Sequence, residues 1–67
     1  MLTDVWSLRI DDVVVFDDGS AAVVVAPPQD AEWVATRYVA SPETWLVGES
    51  DLTHVSEIAA VIPVHVN

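Results

Sequence analysis

Apolar residues in this chain fall in short, Val-rich runs separated by turn-forming residues, a pattern that predicts strands. Over Met1 to Ile10 the alternation is weak: Trp6, Leu8 and Ile10 share one parity, with Ser7 and Arg9 on the other. That predicts a half-buried strand, interrupted by Asp11-Asp12. Val13 to Phe16 is continuously apolar, and Asp17-Asp18-Gly19-Ser20 follows it. An Asp-Gly pair between two apolar runs predicts a tight hairpin, because the turn needs positive φ. The return strand is Ala21 to Ala26, stopped by Pro27-Pro28, which cannot donate to a ladder. Gln29 to Glu32 is a polar loop.

Trp33 to Val39 predicts the next strand, with Val34, Thr36 and Tyr38 on one face. Ser41-Pro42-Glu43 is a turn with Pro at its second position. Thr44 to Val47 predicts a short strand ending at Gly48, Glu49 to Leu52 a single helical turn, and Thr53 to Val55 another short strand. Ile58 to Val66 alternates, with Ile58, Ala60, Ile62, Val64 and Val66 facing one way and Pro63 marking an edge. Ser50 to Ala60 also admits a helix of about three turns capped by Ser50 or Asp51. Thr53, Val55 and the Val61-Ile62 run argue for strand instead.

The runs Val13 to Phe16 and Ala21 to Ala26 lack alternation. A strand with one wet face alternates, so a strand apolar on both parities is expected to be covered on both. A barrel interior covers one face. A terminal segment or another chain is expected to cover the other, and whether Val14 or Val15 points outward is open at this level.

The 67 residues make room for one small domain, spanning 1–67. A domain of this size removes only about 60% of its unfolded surface from water. Cys is absent, which excludes disulfides, thiolate metal sites and Cys nucleophiles together. There are 11 Asp and Glu against 2 Lys and Arg, a formal charge of -9, and the two cations are Arg9 and Arg37. Nucleic-acid binding draws most of its strength from cations neutralising phosphates, so no nucleic-acid partner is expected. An acidic membrane surface is disfavoured for the same reason. A basic protein surface is favoured. The N-terminal stretch has no basic region, and the apolar run Ala21 to Pro28 falls far short of the ~20 residues of a membrane span. The expectation is a cytoplasmic or virion-associated protein with no membrane partner.

Candidate chemistry is sparse. Asp11-Asp12 and Asp17-Asp18 bracket one strand, but their spacing is not that of a cation-binding loop, and turn chemistry accounts for them. His54 and His65 show no ligand-pair spacing. Ser20, Ser41, Ser50 and Ser56 lie in no nucleophile-elbow pattern, and Gly19 and Gly48 form no phosphate loop. A barrel this small is also expected to lack room for a ligand pocket of several hundred Å³. No enzyme activity, metal or cofactor is expected. Trp6, Trp33 and Trp45 are many for so short a chain. They serve either the core or a binding surface, where Trp is enriched.

The succession DDVVVFDDGSAAVVV, a loop, EWVATRYV, a turn, and TWLVGESDLTHV resembles a small SH3-like barrel of the KOW/Tudor-like kind, over Asp11 to Val55. The resemblance implies an all-β barrel. Two strands meet in a tight hairpin, two more follow, and a helical turn leads into a short fifth strand. Met1 to Ile10 and Ile58 to Val66 would add an N-terminal and a C-terminal strand. Tudor-like members hold methylated cations in aromatic cages, for which Trp33, Tyr38 and Trp45 are the candidates here. RNA-binding members carry basic loops, whereas this chain carries acids there. The expected function is a non-enzymatic interaction module, such as a phage-like accessory protein, that docks a basic protein partner or a copy of itself. Its candidate contact residues are Trp6, Val14, Val15, Val24, Trp33, Tyr38 and Trp45, rimmed by Asp11, Asp12, Asp17 and Asp18. Alternatives are a structural or virion subunit, and an acidic mimic of nucleic acid that blocks a basic enzyme site.

Overall fold

Gly19 sits at φ +88°, and the chain reverses around it. The Gly19 N–H donates to the Phe16 carbonyl at 3.1 Å and the Phe16 N–H to the Ser20 carbonyl at 2.8 Å. This is a three-residue hairpin loop with glycine at its left-handed position, as the Asp-Gly pair predicts. Asp18 tightens it by accepting from the Ser20 N–H at 2.8 Å. The loop joins β1 (Val13–Phe16) to β2 (Ala21–Val24). The structure, a computed structural model, describes residues 4–64.

Three further strands complete an all-β architecture: β3 (Trp33–Ala40), β4 (Ser50–His54) and β5 (Ile58–Ile62). Every pairing is antiparallel, and the order across the sheet is β4-β3-β2-β1-β5. The four-strand meander is followed by a short 3-10 turn over Val55–Glu57, which returns the chain so that β5 lies on β1. His54 caps that turn by accepting the Ser56 N–H on Nδ1 at 3.1 Å.

Alternation decides the core. Val14, Ala22, Val24, Val34 and Ile58 are buried on the inner face, with Val5 and Leu8 of the N-terminal segment added to the same cluster. Phe16, Tyr38, Val55 and Val61 pack against it. Thr36 and Thr53 are also fully buried, and their hydroxyls bond each other at 2.8 Å. Every buried side-chain polar atom among the described residues has a hydrogen-bond partner, as a core this thin requires.

Several local expectations are corrected. The described part of Met1 to Ile10 is not a strand. Val5–Ser7 forms a 3-10 turn capped by the Asp4 carboxylate, and Val5 and Leu8 point inward, while Trp6 and Ile10 are exposed. An inward spacing of three residues is that of a 3-10 turn. The return strand stops at Val24, before the expected Ala26. Thr44–Leu46 is a 3-10 turn, not a strand. Gly48, at φ +91°, closes it by donating its N–H to the Tyr38 carbonyl at 2.8 Å. Ser50–His54 is neither a helical turn nor the start of a helix, because β3 offers it a ladder from Trp33↔His54 to Arg37↔Ser50. Val55 belongs to the 3-10 turn that follows.

In β5 the expected alternation breaks. Val15 pairs with Ala60 but Phe16 pairs with Ile58, so β5 carries an extra residue. This bulge puts Ile58 and Val61 inside and leaves Ala60 and Ile62 outside. Val64 is exposed, and His65 and Val66 lie outside the described residues.

Candidate partner-binding face

The inner parity being fixed, the outer one follows. Side chains opposite each other on paired strands share a face. One outer row therefore runs Ile62–Val13–Val23–Arg37–Ser50 across all five strands. A second runs Ala60–Val15–Ala21. At the other end Ala35 pairs with Leu52 and Trp33 with His54. Val13, Val15 and Val23 are half-buried, whereas Leu52 is 61% exposed and Ile62 59%. No Asp or Glu occupies these outer strand positions, and Arg37 carries their one formal charge. The acids lie in turns, at strand termini and, for Asp51, on the inner parity of β4.

Trp33 is fixed where the polar loop enters β3. The Asp30 carboxylate accepts from the Glu32 N–H at 2.8 Å and the Trp33 N–H at 2.9 Å. Those two backbone donors hold its pKa below the ordinary aspartate value. Edge-on contact with His54, at 4.8 Å between ring centres and 80° between planes, sets the indole. The His54 Nδ1 in turn lies 2.7 Å from the Ser56 hydroxyl. Because that nitrogen also accepts the Ser56 N–H, the ring proton belongs on Nε2.

The loop after β2 folds over this end of the sheet. Between Pro27, Gln29 and Asp30 on one side and Trp33, Ala35 and Leu52 on the other lies an open groove of about 500 Å³. The expectation that so small a domain lacks a cavity of this size is corrected. The space lies between a loop and the outside of the sheet, so its size owes nothing to the interior.

The expected contact residues do not form one surface. Val15 and Trp33 lie on the outer face. Val14 and Val24 are completely buried, and Tyr38 packs inward against Phe16 at 5.8 Å between ring centres. These three serve the core. Trp6 and Trp45 are exposed, at 58% and 70%, each on a 3-10 turn. Trp33 and Tyr38 belong to opposite faces of β3, so with Trp45 they do not converge into a cage. Of the expected rim, Asp11, Asp17 and Asp18 are exposed at the ends of β1, but Asp12 is buried and hydrogen-bonded within the fold. Leu52, Ala35 and Val23 had no place in the expected surface. The sequence predicts a helical turn at Leu52, and only the β3–β4 register makes it the neighbour of Ala35.

Among the described residues no cluster of His, Asp and Glu has the arrangement of a metal site, and no helix is long and apolar enough to cross a membrane. Comparison with protein-family models, with curated proteins and with solved structures finds no match to this chain.

Proposed function

We propose that this chain is a non-enzymatic interaction module that docks a protein on the outer face of its sheet. The observation that carries this is the make-up of that face. In a chain of charge -9 it holds no carboxylate, and its apolar positions span all five strands. Acids elsewhere keep the chain soluble, while an apolar surface left free of them marks an interaction site. Nucleic acid has no part in the proposal, since Arg9 and Arg37 are the sole cations of the sequence.

One observation favours a structural subunit as a second reading. Trp45 and Val47, beyond the end of β3, are 70% and 49% exposed. A tile in an array, such as a virion or another cytoplasmic assembly, needs two contact surfaces, and these residues offer the second.

The test compares the native chain and Val23→Glu as immobilised baits, with light scattering on each alone. A protein held by the native bait and released by Val23→Glu, or a self-associated mass lost in that variant, supports docking on the outer face. Identical behaviour of the two contradicts it.

A further inference from the structure

We infer that the groove between the 25–32 loop and the outer face receives an apolar segment of another protein that is flanked by Lys or Arg. This rests on the proposal that the outer face is a docking surface, and it names the occupant.

The floor of the groove is Ala35 and Leu52, direct neighbours on β3 and β4. Its wall is Trp33, whose ring is held by His54, and its lip is Pro27. Rigid aromatic and proline walls lose little freedom on binding, and a central Trp is a typical anchor. The floor and wall call for an apolar group, since no carboxylate lies among them.

The charge around the groove selects what accompanies that group. Asp30 lines it, its carboxylate kept ionised by two backbone N–H donors, and Glu32 follows in the same loop. A second copy of this chain is a poor occupant. It would bring -9 against -9, with no Lys and with Arg9 and Arg37 as its only cations. Like-charge approach disfavours such a pair, whereas a basic flank on a foreign segment gains from the same field.

The probes are three labelled peptides of equal length, alternating Leu/Lys, Leu/Glu and Ser/Lys. Each is titrated with the full chain by fluorescence anisotropy at about 0.15 M salt. The Leu/Lys peptide is expected to bind, and the other two about tenfold more weakly or not at all. Leu52→Thr, which keeps strand propensity at an exposed site, is expected to weaken Leu/Lys binding about tenfold with circular dichroism unchanged. Ala35→Thr, which fills the floor, is the second variant and should do the same. Equal binding of Ser/Lys would overturn the inference, because diffuse charge attraction would suffice. Preference for Leu/Glu, or indifference to both variants, would overturn it too. A dimer by light scattering that Leu52→Thr disperses would replace the foreign segment by a second copy and leave the docking face standing. Absence of peptide binding together with a monomer mass in every variant overturns both proposals.

Discussion

Asp12 and Val64 are 52 residues apart in sequence and joined by a hydrogen bond: the Val64 N–H donates to the Asp12 Oδ1 at 3.0 Å. The other oxygen of the same carboxylate accepts from the Arg9 N–H at 3.0 Å. One buried side chain thus ties the segment before β1 to the segment after β5. Removing it leaves two backbone donors without that acceptor. Each lost hydrogen bond costs about 1 kcal/mol, so Asp12→Ala should lower stability by about 2 kcal/mol. Asp12→Asn, which keeps one acceptor oxygen, should lose about half of that. Urea denaturation reads the loss, and amide exchange at Val64 should quicken in both variants. Unchanged exchange there would show that the tie does not hold the C-terminal segment.

Adjacent valines on β1 should respond oppositely to a charge. Val14 is completely buried, so Val14→Glu places a carboxylate in the core without a partner and should unfold the domain. Val15 faces outward beside Ala21 and Ala60, so Val15→Glu should leave far-UV circular dichroism intact. Two folded variants would mean that the inner face need not be dry.

The hairpin and the parity of β3 were legible in the sequence because local chemistry decides both. Asp18-Gly19 demands a reversal, and Val34, Thr36 and Tyr38 fall on the side the core takes. What stayed hidden depends on partners distant in sequence. Ser50–His54 is polar enough to read as a turn, and only β3 makes it a strand. The bulge in β5 is set by its pairing with β1, so the regular spacing of Ile58, Ala60 and Ile62 misassigned the face. Val14 and Val15 look alike until the rest of the sheet chooses a side. The candidate site was therefore half visible. Two apolar parities announced that a second face exists, while its members Leu52 and Ala35 emerged only with the register.

Thr36 and Thr53 should be strongly coupled. Their hydroxyls share a 2.8 Å hydrogen bond inside the core, and Thr36 Oγ1 also lies 3.5 Å from the Asp51 carbonyl. Thr36→Val strands a buried hydroxyl on Thr53 and should cost about 1–2 kcal/mol. The double change to Val at both positions replaces the pair by packed methyl groups and should be nearly neutral. A double-mutant cycle checks this, with a coupling of about 1 kcal/mol expected. Simple additivity would contradict it.

Tyr38 should make the fold sensitive to alkali. Burial, then the charges of Asp51, Glu57 and Asp18, raises its pKa above the ordinary value of 10.0. The folded state therefore favours the neutral phenol. That contribution is fully present below the unfolded pKa and is lost as pH rises through the folded one. Denaturation midpoints should fall above about pH 10 in the native chain and fall less in Tyr38→Phe. Parallel profiles would assign the alkaline loss to other groups.

Amide shifts in a nitrogen-15 spectrum of the full chain, followed while the Leu/Lys peptide is added, test most directly whether the outer sheet face is where a partner docks. The expected result is a set of perturbed amides at Val15, Val23, Ala35 and Leu52, continuing to Trp33 at the groove. Perturbations confined to the acidic turns at Asp17-Asp18 and Glu43, or to Trp45, with those strand positions unmoved, would contradict the account.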